Sequence, residues 1–233
     1  MVPCPGCGVH AQILREGVHH HQHPQEGSEA GGFLGTHVFP GSRQNTLPSD
    51  TTRLKYYESR GTFPTDVWLP DPKGSRVTMM VGLPGSGKSR WLRDHAPGLP
   101  VVSMDAFRED MDVAPTDNQG SVVQAAKESA RQYLRAKKDF AWDATNLTQV
   151  TREHLIALFM SYDARVRVVY VEVPLETLRV QNSDREHVVP WGVIQKMMAK
   201  VELPIRTEAH EVLYVVRSSD KTEAKANLVS LRA

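Results

Sequence analysis

The run Gly82-Leu83-Pro84-Gly85-Ser86-Gly87-Lys88-Ser89 fits G-x-x-x-x-G-K-[ST] without a mismatch. Glycines at this spacing let successive backbone N–H groups converge on a polyphosphate. The Lys88 ammonium can reach the β- and γ-phosphates, and the Ser89 hydroxyl can ligate Mg²⁺. Pro84 and Ser86 complete the loop, and a helix opening at Lys88 would turn its positive dipole end toward the bound anion. A nucleotide and Mg²⁺ are therefore the expected ligands.

Further along, Asp105 and Arg108 follow a short apolar run, 99–104. In an open parallel sheet the carboxyl ends of strands line the ligand crevice, so a carboxylate there faces the γ-phosphate region. Asp105 is the candidate general base for an attacking hydroxyl, and Arg108, one helical turn on, is placed to hold an anionic group of the acceptor. A purely structural use of the pair, as a helix cap and an i+4 ion pair from Arg108 to Asp112, competes with this. A third run, 139–143, ends in Asp143, Thr145 and Asn146, candidates for acceptor or water-ligated metal, with Arg152 as an additional phosphate contact. The same residues also suit an Asx turn leading into the next helix. Arg179 and Arg185 sit in a polar excursion, 175–190, that reads as a lid, and Arg185 is the better placed to neutralise a transferring phosphoryl group.

Positioning these residues requires alternating strands and helices. Apolar runs at 76–81, 99–104, 139–143, 166–173 and 212–216 predict five strands. Helices are expected near 88–95, 121–137, 151–161, 175–181, 190–200 and 222–231. The expected fold is α/β of the P-loop NTPase type: a five-stranded parallel sheet flanked by helices, with a lid on its C-terminal side and a small N-terminal Cys/His-containing segment. Boundaries fall at 1–25 for that segment, 26–74 for a linker and aromatic-containing extension, and 75–233 for the P-loop domain. The aromatics of the extension, among them Tyr57 and Trp68, are expected to pack on the following domain rather than to stack bases.

The segment 1–25 holds Cys4-x-x-Cys7 with His19 and His23 at the offset of a tetrahedral Zn²⁺ site. A His-rich start that binds metal only adventitiously is the competing reading. With a formal charge of +1, any nucleic-acid site must be a local cluster. The chain has 2 cysteines, too few for a disulfide framework, and no run reaches the length of a membrane span, which makes a soluble cytoplasmic protein without membrane contact the expectation. No strand ends in the paired acidic residues of motor ATPases.

In this order, the elements resemble the 5′-hydroxyl polynucleotide kinases of phage and bacterial end-healing systems, within a wider group that includes zeta-toxin-like and adenylylsulfate kinases. The resemblance is carried by GLPGSGKS, Asp105-x-x-Arg108, the DATNL segment at 143–147 and the stretch REHVVPWGVIQKMM at 185–198, and it covers residues 76–216. It implies an ATP- and Mg²⁺-dependent kinase acting on 5′-OH ends of RNA or DNA. Lys88 and Ser89 then contact phosphate and Mg²⁺, Asp105 is the base, Arg108 clamps the acceptor's 3′-phosphate, and Arg185 is the lid arginine. No D-x-D-x-T motif is present, so the 3′-phosphatase often fused to such kinases is not expected. A small-molecule kinase of the same fold is the alternative, and from another class an ATP-binding nucleic-acid adaptor with a zinc-binding N-terminus.

Overall fold

The computed structural model describes residues 47–114, 117–217 and 227–230. Cys4, Cys7, His19 and His23 lie outside the described residues. The described chain opens with α1 (Asp50–Glu58), followed by β1 (Arg76–Val81), α2 (Lys88–His95), β2 (Val101–Ser103), α3 (Met104–Asp110), α4 (Gly120–Arg135) and β3 (Phe140–Asp143). Next come α5 (Gln149–Met160), β4 (Arg165–Glu172), α6 (Leu175–Ser183), α7 (Trp191–Met198), β5 (Glu211–Val216) and β6 (Asn227–Ser230). The sheet order is β2-β3-β1-β4-β5-β6. The first five of these strands are mutually parallel, as expected.

At the C-terminal edge the structure departs from the sequence reading. Residues 227–230 form a strand antiparallel to β5, with Leu213 opposite Ser230, where a helix over 222–231 was expected. The segment Asn-Leu-Val-Ser has no helical periodicity of its own, and the open edge of β5 supplies a hydrogen-bonding partner that outweighs weak local propensity.

Alternation along each strand divides the core between two faces. Val77, Met79, Phe140, Trp142, Val166 and Val168 face α4 and α5. Along α4 the buried residues Val122, Ala126, Ala130 and Leu134 recur every fourth position, which lines one stripe of the helix against the sheet. On the opposite face Met80, Ala141, Val169 and Leu213 meet Trp91 and Leu92 of α2. Both faces of β1 are thus covered, and its near-continuous apolar run is the signature of a central parallel strand.

The extension also differs from expectation. Its residues 50–58 are helical, with Ser49 as N-cap accepting from the Thr52 N–H. Polar contacts rather than aromatic packing fasten it, since Trp68 is 63% and Tyr57 49% exposed. Arg53 donates to the carbonyls of Ala209 and His210 at 3.1 and 2.7 Å. Arg165 pairs with Asp50 and Asp71, each at 2.7 Å. These groups gather where β4 and β5 begin, at the end of the sheet opposite the glycine-rich loop.

Among them lies His210, 1% exposed, whose Nδ1 accepts the Val166 N–H at 3.1 Å. Burial lowers its pKa to about 4, and the nearby Arg165 and Arg53 add to the effect while Asp50 and Asp71 oppose it. Between pH 6.5 and 4 the unfolded chain takes up a proton that the folded chain refuses, so this residue's contribution to stability falls as pH falls through that window. The expected loss by pH 4 is about 3 kcal/mol. Denaturant unfolding at pH 7 and pH 4 should show His210→Asn losing correspondingly less stability than the wild type on acidification; equal losses would refute the assignment.

Candidate active site

The loop 82–89 leaves β1 at the point where the chain order reverses, with β3 on one side and β4 on the other. Neighbouring strand ends hold it there. The Gly82 N–H donates to Thr145 O at 3.0 Å, and the Asn146 side-chain amide donates to Met80 O at 2.8 Å. Gly82 has φ 146°, and a Cβ on it would stand 2.5 Å from Val171 O and 2.8 Å from Ser86 Oγ, so only glycine fits. Gly85, at φ 80°, lies against the backbone of Asn182, which a Cβ would meet at 3.3 Å. The loop is therefore wedged between β3, β4 and the end of α6.

Lys88 folds its ammonium back over the loop, donating to the carbonyls of Gly82 and Leu83 at 3.0 and 2.9 Å. Burial lowers its pKa, the Asp143 and Asp105 carboxylates oppose that shift, and Arg185 adds to it. Ser89 Oγ donates to Asp143 Oδ2 at 2.9 Å. The Ser86 hydroxyl is buried without a hydrogen-bond partner among the described residues. A buried ammonium, a partnerless hydroxyl and a hydroxyl–carboxylate pair beside a helix start make a donor set that suits a polyphosphate and a hard divalent cation. Ser89 and Asp143 are the groups that could hold Mg²⁺.

Asp105 occupies the first turn of α3, but the N-cap of that helix is Ser103, whose Oγ accepts from the Ala106 N–H. The Asp105 carboxylate is thereby free for other partners. One oxygen takes Arg108 and the other takes Arg185 at 3.2 Å. Arg108 also donates from Nε to Gln119 Oε1 at 2.7 Å, and the Gln119 amide donates to Ala114 O and Asp117 O. Arg108 thus pairs with Asp105 rather than Asp112. Across the lid His187 Nε2 contacts Glu109 Oε1 at 2.7 Å. Asn182 anchors the base of the lid by exchanging two hydrogen bonds with the Val189 backbone. Arg179 lies over the Trp191 ring at 4.7 Å, a surface stacking contact.

The structure therefore gathers Lys88, Ser89, Asp105, Arg108, Asp143 and Arg185 around one face of the loop. Two candidates do not join them as ligand contacts. Arg152 is fully buried and spends its guanidinium on Glu208, at 2.6 and 3.0 Å, and on the carbonyls of Asn146, Leu147 and Glu202, so it cannot reach a bound phosphate. Asn146 is 5% exposed at φ 47°, with its amide committed to Met80 O. Both are fasteners of the site. Thr145 stands between these cases, half-buried, with its carbonyl engaged by Gly82. Gln119 and Asn182 had no motif to mark them, because each acts through contacts made only in the folded chain.

The fold, the phosphate loop and the lid define a P-loop kinase. A family model described as an AAA domain, AAA_33, matches residues 77–204, and the chain belongs to this family. Three solved structures are among those similar to this chain. A putative kinase from Chloroflexus aurantiacus J-10-fl is 15% identical, with 63% of this chain and 90% of that chain covered, at TM-score 0.50. A chain of the Pnkp1/Rnl/Hen1 RNA repair complex is 20% identical, with 55% and 44% covered, also at 0.50. A sugar kinase from Janibacter sp. HTCC2649 is 20% identical, with 62% and 85% covered, at 0.45. At these identities the likeness is one of fold. Among the described residues no helix is long and apolar enough to cross a membrane.

Removing one partner of a buried ion pair strands the other in a dry interior. Arg152→Ala should therefore lower unfolding stability by roughly 3–5 kcal/mol in denaturant titrations while the folded fraction keeps wild-type nucleotide affinity. A variant of unchanged stability but weakened nucleotide binding would return Arg152 to the site.

Proposed function

We propose that the chain transfers the γ-phosphoryl group of ATP to the 5′-hydroxyl of RNA or DNA, with Asp105 as general base. The observation that carries this reading is the placement of one carboxylate, Asp105, between two arginines from different elements, Arg108 of α3 and Arg185 of the lid. Such a cluster suits a reaction that brings two phosphate-bearing substrates together. The γ-phosphate draws Arg185 away, and a phosphate of the acceptor draws Arg108 away. The carboxylate is then left facing the hydroxyl. Asp105 takes the hydroxyl proton, the oxygen attacks the γ-phosphorus, and the bond to the β-phosphate oxygen breaks to release ADP. Lys88 and Arg185 neutralise charge in transfer, and the loop N–H groups orient the donor. Ser89 and Asp143 would hold Mg²⁺, which would supply charge neutralisation at the phosphates.

A small hydroxyl compound is the second reading of the acceptor, and one observation favours it. The rim around Asp105 carries exposed acids, Glu109, Asp110 and Asp112 on one side and Asp184 and Glu186 on the other, which would repel a long polyanion.

Labelled ATP with 5′-OH oligoribonucleotide, 5′-OH oligodeoxyribonucleotide and a panel of sugars and nucleosides separates the two. Label on an oligonucleotide supports the first reading, and label only on a small acceptor supports the second. In either case Asp105→Ala should lower turnover by at least about a hundredfold with ATP still bound. Near-normal turnover in that variant would remove Asp105 as base. Asp143→Asn should raise the Mg²⁺ concentration needed for half-maximal activity by about tenfold or more. An unchanged Mg²⁺ dependence would take Asp143 out of the metal's environment.

A further inference from the structure

The residues described so far approach the phosphate loop from β2, β3 and the lid. Two other side chains approach it beside Gly87. A Cβ built on Gly87 would lie 3.8 Å from a terminal guanidinium nitrogen of Arg217 and 3.9 Å from Gln181 Oε1. Arg217 directly follows β5, and its backbone N–H donates to Glu172 O at 3.1 Å, which pins its Cα to the carboxyl end of β4. Gln181 belongs to α6, next to the Asn182 that abuts Gly85. Both residues are half-buried, and among the described residues neither side chain has a hydrogen-bond or ion-pair partner. Arg53, Arg108, Arg152, Arg165 and Arg185, by contrast, each face a carboxylate. A partly desolvated guanidinium beside an anion-binding loop is stabilised only by a negative group that arrives from elsewhere.

The sheet order shows which group that is. Asp105 follows β2 and Asp143 ends β3, so the reacting end of the donor lies on the β2–β3 side of the loop. Arg217 follows β5, on the far side of β1 and β4. A nucleoside triphosphate with its γ-phosphate near Asp105 must cross the loop and carry its α-phosphate and nucleoside toward β5. We infer that Arg217 is a donor-binding residue that holds the α-phosphate of the nucleotide, with the Gln181 carboxamide as a second, weaker contact on the same side. Gly87 itself is favoured by its left-handed backbone, at φ 94°.

The inference rests on nucleotide binding at the loop and not on the choice of acceptor, so it is tested without one. A fluorescent N-methylanthraniloyl-ADP is titrated into the full chain and into Arg217→Met, Arg217→Lys and Gln181→Ala. Arg217→Met should raise Kd by about tenfold to a hundredfold, Arg217→Lys should recover part of that loss, and Gln181→Ala should cost about two- to fivefold. AMP should displace the probe from the wild type and lose potency in parallel with ADP in Arg217→Met, because the contact is to the phosphate they share. A Kd within about twofold of wild type in a folded Arg217→Met overturns the inference. So does a fall in ADP affinity with AMP affinity unchanged. Failure of the wild type to bind the probe would overturn the donor-site assignment itself, whereas failure to phosphorylate an oligonucleotide touches only the acceptor reading.

Discussion

Everything around the phosphate loop depends on keeping a glycine-rich segment in one shape. The constraint is met by backbone and side-chain groups of adjacent strand ends. Gly82 donates to Thr145 O, Asn146 donates to Met80 O, and Val171 O closes the space above Gly82. Backbone N–H groups can converge on a phosphate only if the loop's own carbonyls are directed elsewhere, and the carbonyls of Gly82 and Leu83 are turned to the Lys88 ammonium. Loop, β3 and β4 therefore form one unit, and Ser89, Asp143 and Lys88 take their positions from it.

The next layer out is electrostatic. Arg152 and Glu208 form an ion pair with side chains 0% and 3% exposed, and the same guanidinium collects carbonyls from the turn after β3 and from the segment after α7. A charge so deeply buried is tolerated because nearly every donor it carries is used. Its effect is to lock the end of β3 against the chain that leads into β5. A second network, built on Arg53 and Arg165, holds the N-terminal extension to the starts of β4 and β5. The two networks meet in the segment before β5, where Glu208 serves the first and the carbonyls of Ala209 and His210 serve the second.

The charges nearest the reacting atoms behave differently, because they remain accessible. Asp105, with its side chain 70% exposed, is bridged by two arginines from separate elements, Arg108 of α3 and Arg185 of the segment between α6 and α7. Exposed pairs of this kind contribute little to stability. The buried pair at Arg152 has the opposite character. Burial thus sets Arg152, 0% exposed, apart from Arg108 and Arg185, 26% and 30% exposed.

Residue types alone made much of this protein legible. The phosphate loop, the parallel strands and the placement of Asp105, Arg108 and Asp143 at strand ends follow from patterns local in the chain, because backbone chirality and strand direction dictate where such residues must point. The same strand-end logic, applied to β5, would also have pointed to Arg217. What local pattern could not distinguish was the two fates of similar residues. Arg152 and Arg185 are both arginines close to a helix end, and only the fold shows that Glu208, 56 positions away, neutralises the first while the second reaches Asp105 across 80 positions. Likewise the last strand was hidden, since a short apolar segment takes its structure from the open edge beside it. Long-range pairing is decided by which groups the packed chain brings into a dry or a wet environment, and that is a property of the tertiary structure alone.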